Sequence, residues 1–583
     1  MKNSLVVLQV LLLLANLSQA FTRYDSLQSN YAPSYVSCPS DKDDYTRKAS
    51  NLSDSEQSWL EKRTAKSQPA LYEFLKYKTN LSESEYKDLI PLNSTNTNES
   101  IKVALSFSGG GSRAMLCGAG QIAALDNRVT NATEHGLGGL LQASTYLAGL
   151  SGGNWMVGTM VFNQFQSIQD ILNGGKIWDL EVPFYESGTI AHHLRASYYA
   201  WKDWIYQVGT KQESGFSVSM VDIWARALST RFFDNDDAAN NSTFSSLRDM
   251  DTFANAEMPF PISVSQIKYD SNELTIANST IVESNPFEFG SWDADANTFV
   301  DMKYVGTSLV DGKPVDSTQC VEKFDNGGFL MAVSSNIWSM GLSSVKEDIE
   351  KIGILYDMFK RAFTSIEENM LDAGILQPNP FFLTTWASNF AFKNRQTLGL
   401  VDGGQDLQNL PMEPLLVEQR GVDVILAYDN SGDTDDNWPN ATALTATYHR
   451  QFYANGANAP MPPLPSESEM VSQGYNKKPV FLGCDSSKLT NLSSVPPLIV
   501  YNPNRAYSLN SNYTTMKMAY NETLKRQMVQ NGFEVASMRN LTEDTEFSTC
   551  IGCAIIRRKQ ERLGIEQSEQ CQKCFSRYCW EQS

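Results

Sequence analysis

Histidine is scarce: the chain has four in 583 residues, His135, His192, His193 and His449. A serine nucleophile that relied on an imidazole base would have few places to find one. Positive charge is also short. Forty-seven Lys and Arg against 66 Asp and Glu leave a formal charge of −19, which argues against nucleic-acid binding and against electrostatic capture by anionic membranes. Beyond the N-terminus no apolar run is long enough for a membrane helix. The C-terminal "CFSRYCWEQS" lacks the apolar tail of a lipid-anchor signal. Low-complexity segments are few, and there is no internal repeat.

What is present points to the secretory pathway. Lys2, the apolar stretch Leu5 to Ala15 and the small residues of Ser18 to Ala20 read as a leader cleaved after residue 20. Thirteen Asn-x-Ser/Thr sequons follow, at Asn51, Asn80, Asn93, Asn98, Asn131, Asn240, Asn241, Asn278, Asn440, Asn491, Asn512, Asn521 and Asn540. Their density suits a glycosylated surface. Nine cysteines remain. Cys550, Cys553, Cys571 and Cys574 have zinc-ribbon spacing, C-x2-C twice. In an oxidising compartment the reading that wins is disulfides stapling the tail. One cysteine must stay unpaired, and Cys117, inside an apolar run, is the expected buried thiol.

From Ile101 onward the texture becomes that of an α/β core. "IKVALSF", "LLQASTYLAGL", "TLGLV" and "VDVILAY" read as buried strands alternating with helical stretches, which implies a largely parallel sheet. The stretch "EQSWLEKRTAKSQPALYEFLKY" before it reads as helix broken at its proline. Two glycine turns stand at strand-to-helix junctions. In the first, "SFSGGGSRAM", Gly109, Gly111 and Ala114 fit the dinucleotide fingerprint, with Glu134 about twenty residues on. However, Glu134 lies in a glycine loop, and no lysine is present for a phosphate-binding loop. A plain tight turn is equally compatible with this stretch alone. The second turn, "GLSGG" at Gly149 to Gly153, matches G-x-S-x-G, whose serine projects from a strained strand-to-helix elbow. For a base, His449 follows the serine but carries no motif. Asp402, in "GLVDGGQDLQNLP", ends an apolar strand where ligands bind in open α/β sheets.

Together "SGGGSRAM", "GLSGGNW" and "VDGGQDLQNLPMEPLL", with the cysteine-rich tail, resemble the fungal phospholipase B or lysophospholipase family, which shares its catalytic fold with cytosolic phospholipases and patatins. The likeness runs from about Cys38 to Trp580. It implies a Ser–Asp dyad without histidine: Ser151 as nucleophile, Asp402 as base, Gly110 and Gly111 as oxyanion donors, and Arg113 as the residue holding the substrate phosphate. Ser112, where the family commonly has an aromatic, and Asn154, where a small residue often follows the elbow, depart from the pattern. They bear on substrate preference.

The expectation is an α/β protein with a mostly parallel central sheet flanked by helices, a large lid- or cap-like insertion and a disulfide-rich C-terminal tail. The expected divisions are a signal peptide at 1–20, a glycosylated lead-in at 21–100, a catalytic domain at 101–545 with the insertion at about 162–394, and a tail at 546–583. The expected activity is release of fatty acids from lysophospholipids and glycerophospholipids at micelle or membrane surfaces, with transacylation as a side reaction and neither cofactor nor metal. The location would be extracellular, in the wall, in the periplasm or in a vacuole. The competing readings are a secreted oxidoreductase, an inactive wall glycoprotein and a general lipase or esterase.

Overall fold

The computed structural model describes residues 31–581 apart from 93, 185–192, 235–238, 240, 270–277, 337–371, 388 and 491. The expected leader and the sequons at Asn93, Asn240 and Asn491 lie outside the described residues, as do His192 and the side chain of His193.

Six strands build the centre: β1 (Val103–Phe107), β2 (Ser144–Gly149), β3 (Phe260–Ile267), β4 (Leu398–Asp402), β5 (Val424–Asp429) and β6 (Leu498–Pro503). Each is buried along its whole length, as strands covered on both faces must be. Five of them run parallel in the order β6-β5-β1-β2-β3. Antiparallel strands extend both edges. Val480–Leu482 adds to β6, and Ile281–Ser284, Glu288–Ser291, Thr298–Asp301 and Thr46–Lys48 continue beyond β3.

The stretch from 162 to 394, expected as an insertion, does not stand apart from this sheet. It contributes β3 and the three strands that follow it. These strands were hidden because the region is mixed in composition, and their pairing is long-range.

β4 is the unusual strand. It pairs antiparallel with the upper half of β3, Asp402 opposite Ser265, while β2 pairs parallel with the lower half, Gly149 opposite Ser263. Ile281–Ser284 occupies the other side of β3. β2 and β4 therefore meet end to end along one flank of β3, which splints them together.

The lead-in also differs from expectation. α1 (Asp54–Lys78) runs without interruption through Pro69. Proline in a helix interior costs about 3 kcal/mol, but the buried face of α1 continues on both sides of it, from Trp59 and Leu60 to Leu71, Phe74 and Leu75. Tertiary packing outweighs the local penalty. From the same helix the buried Arg63 guanidinium donates to the carbonyls of Gln142, Ser144 and Ala256. The lead-in is thus built into the base of β2.

The helices that follow the glycine turns are α2 (Gly111–Ala123) and α3 (Gly152–Phe162), and α4 (Gly327–Val333) packs beside α3. In the tail, α5 (Phe547–Leu563) and α6 (Glu569–Tyr578) are joined by Cys550–Cys574 and Cys553–Cys571. The zinc-like spacing places two cysteines on one face of each helix, and the two faces bond to each other. Cys38–Cys320 and Cys484–Cys579 complete four disulfides, leaving Cys117 free and buried.

Candidate active site

Ser151 caps α3 with φ 50° and ψ −122°, a left-handed conformation that non-glycine residues adopt only under constraint. The constraint is visible. Its amide donates to both the carbonyl and the hydroxyl of Ser334, each at 3.1 Å, and the Ser334 hydroxyl in turn donates to Val264 of β3 at 2.7 Å. A β-carbon on Gly152 would lie 2.0 Å from the carbonyl oxygen of Gly111. Only glycine there lets the elbow sit directly on the first glycine turn. In that turn Gly110 and Gly111 both have positive φ, 133° and 62°. Among the described residues, neither of their amides has a hydrogen-bond acceptor.

Asp402 reaches the same level from the opposite direction, because β4 runs toward β2. Its carboxylate accepts from the Gly404 amide at 2.8 Å, and the Ser151 hydroxyl lies near enough to pull its pKa down. Both Ser151 and Asp402 are buried, 7% and 5% exposed. The two histidines whose side chains are described stand elsewhere: His135 is exposed, and His449 is exposed on the helix Thr442–Arg450. A serine hydroxyl beside a buried carboxylate, next to two amides with no acceptor among the described residues, has the parts needed for attack on an acyl carbon.

Residues 103–583 match the family model described as the lysophospholipase catalytic domain. The chain belongs to the lysophospholipase family. Lysophospholipase 2 of Saccharomyces cerevisiae is 42% identical over 98% of this chain and 82% of its own length. Lysophospholipase of Kluyveromyces lactis is 43% identical over 95% and 87%. The fold is similar to that of human GIVD cytosolic phospholipase A2, with a TM-score of 0.63 at 18% identity over 90% of this chain and 69% of that one. As a lysophospholipase-family member the protein is a carboxylic ester hydrolase.

Burial shapes the electrostatics of this lysophospholipase-family site. Desolvation pushes Asp402 up to about 7; the Gly404 amide and the Ser151 hydroxyl pull it down, and the charge of Asp406 pushes it further up. Asp406 is buried four residues along the same loop, where it accepts from the Gln408 amide at 3.0 Å. Asp406→Asn removes a negative neighbour, so it should move the acid limb of the pH–rate profile to lower pH. A kcat/KM profile of the variant beside wild type checks this, and an unmoved limb would show that Asp406 exerts no charge on Asp402.

Arg113, which the resemblance assigns to the substrate phosphate, is engaged by the protein's own carbonyls and a hydroxyl. It is fully buried in the first turn of α2. Its Nε donates to the Asn430 carbonyl at 3.0 Å, one terminal nitrogen to the Tyr513 carbonyl and the other to the Thr515 hydroxyl at 3.3 Å. Two distant segments are thus tied to the glycine turn through one guanidinium. The two family departures are both buried. Asn154 donates to the Ser263 hydroxyl at 2.8 Å and so binds the elbow helix to β3, whereas the Ser112 hydroxyl has no partner among the described residues.

Sequence reasoning did not single out Ser334, Asp406, Asn409, Tyr513 or Thr515. Asp406 and Asn409 lie within the quoted Asp402 motif and could have been examined there. The others sit in segments with no pattern of their own.

The sequons divide by exposure. Asn51, Asn80, Asn98 and Asn521 are exposed, while Asn131, Asn241, Asn278, Asn440, Asn512 and Asn540 are half-buried. Among the described residues no helix is long and apolar enough to cross a membrane.

Proposed function

We propose that the protein is a secreted lysophospholipase and phospholipase B that cleaves acyl esters through an acyl-Ser151 intermediate. The observation that carries this reading is the buried Asp402 carboxylate beside Ser151 at its strained elbow, next to the amides of Gly110 and Gly111, which have no acceptor among the described residues. Asp402 takes the Ser151 proton as Oγ attacks the ester carbonyl. The two glycine amides receive the oxyanion, and losing one such donor typically costs about 3–4 kcal/mol of barrier. Collapse expels the glycerol oxygen, which recovers its proton from Asp402. Water, deprotonated by Asp402, then releases the fatty acid. A lysophospholipid alcohol in place of water would give transacylation.

Arg113 serves the substrate phosphate once the Tyr513–Thr515 segment yields its bonds, and it holds the turn in place until then. Arg113→Lys loses the planar fork that joins three segments. It should lower kcat/KM on lysophosphatidylcholine about 100-fold and lower the melting temperature. Full activity in that variant would remove Arg113 from the reaction.

Residues 1–20 are read as a cleaved leader, a reading supported by the four disulfides. The secreted form would be glycosylated at the exposed sequons first. The reading is tested by fatty-acid release from lysophosphatidylcholine, with a neutral glyceride in parallel and chelator present. Preference for the glyceride would favour a general esterase, and no release from either would favour an inactive glycoprotein.

A further inference from the structure

We infer that Asn409 is a positioning residue, the link that holds the Asp402 loop and the oxyanion turn in register around Ser151. The inference rests on the reading of Ser151 as nucleophile. Asn409 is seven residues beyond Asp402 and grips the peptide groups of Gly109 from both sides. Its main-chain carbonyl accepts from the Gly109 amide at 2.9 Å, and its side-chain Nδ2 donates to the Gly109 carbonyl at 3.1 Å. The same Nδ2 donates to the Ser431 hydroxyl at 2.7 Å, one residue from the carbonyl that receives Arg113. One carboxamide therefore joins the base loop, the oxyanion turn and the arginine anchor.

The glycines around it explain themselves in this light. Neither Gly109 nor Gly404 has a positive φ, so neither is needed for backbone freedom. A β-carbon on Gly109 would lie 2.2 Å from Oδ1 of Asn409 and 2.9 Å from Cβ of Ser151, and one on Gly404 would lie 2.7 Å from the same Oδ1. Both positions are kept bare so that the carboxamide can press between them. Gly404 also donates to Asp402, so Asn409 touches the residue that orients the base as well as the turn that carries the donors. These contacts are a reason for the spacing of the Asp402 motif. Seven residues carry the chain from the base back to Gly109.

The test is the rate at which a fluorophosphonate labels Ser151, measured against pH, a readout that needs no lipid. Asn409→Ala should slow labelling about 100-fold, the usual result of displacing reacting groups by about 1 Å. Asn409→Asp keeps the shape, loses both Nδ2 bonds and adds a carboxylate. Asp406 is the charged group that already bears on Asp402. A second negative neighbour should shift the acid limb of labelling to higher pH, which a merely structural role would not do. Labelling within about twofold of wild type in both variants, with an unshifted limb, overturns the inference. If both fail to fold, Ser431→Ala decides, since it cuts only one of the two Nδ2 bonds. A several-fold slowing is expected there, and an unchanged rate overturns the inference. No labelling of Ser151 in wild type would instead overturn the proposed nucleophile.

Discussion

Ser151→Ala should abolish hydrolysis of lysophosphatidylcholine, with kcat falling by at least about 10⁴-fold, and Asp402→Asn should fall nearly as far. The two losses should not add. In the proposed mechanism the hydroxyl reacts only as Asp402 takes its proton, so removing either partner removes the same proton transfer. Asp402→Asn has the further effect of relieving a buried acid. Asn needs no desolvation of a charge, so this variant should be at least as stable as wild type while inactive. Fatty-acid release and thermal melting of wild type, both single variants and the double variant measure all of this. Activity surviving in Ser151→Ala would place the nucleophile elsewhere. An inactive Asp402→Asn that also melted well below wild type would point to a structural role for Asp402.

The second large effect is on stability against pH, and it runs opposite to activity. Burial raises Asp402 to about 7 and Asp325 to about 6, both from an ordinary 3.8. Asp325 is fully buried, accepting from the Ser245 amide at 2.7 Å. For a carboxyl raised in the folded state, the folded protein holds the proton where the unfolded chain has lost it. Stability is then greatest near pH 4 and falls as pH rises through the folded value. At 1.36 kcal/mol per pH unit, Asp325 accounts for about 3 kcal/mol and Asp402 for about 4 kcal/mol between pH 4 and 7. Below pH 4 the sign reverses. Burial raises Asp301 too, but Arg248 and Lys42 hold it below the ordinary value, and the stability it lends disappears as it is protonated. The denaturation midpoint should therefore peak near pH 4–5. Hydrolysis, which needs ionised Asp402, should rise toward neutral pH. Coincident optima would mean that substrate binding restores a low-pH carboxylate. A midpoint that climbs from pH 4 to 7 would contradict the burial argument.

Much of the site was legible in the residues themselves. A G-x-S-x-G turn between an apolar strand and an apolar helix encodes its own elbow, because the strain at Ser151 is local and the glycines that permit it are neighbours in sequence. The same holds for Gly110 and Gly111, whose positive φ needs glycine whatever surrounds them. The scarcity of histidine pointed to a carboxylate base, and the structure buries Asp402 beside Ser151. Even the odd cysteine count foretold a free thiol.

Other features had no local signal. Nothing in "LGLVD" says that this strand runs antiparallel to β3, yet that direction is what brings Asp402 down onto a serine 251 positions earlier in the chain. β3 itself lay hidden in a mixed region, because it is recognised by what it pairs with. Pro69 looked like a helix break because propensity is read one residue at a time, whereas the packed face of α1 is not. The partners of Arg113 had no local signal either, because its acceptors, Asn430, Tyr513 and Thr515, lie more than three hundred residues away. Local sequence encodes the turns, the strands beside them and the chemistry of each side chain. Strand direction, disulfide partners and which groups share a buried space emerge in the folded chain, since those depend on contacts between distant segments that no local spacing encodes.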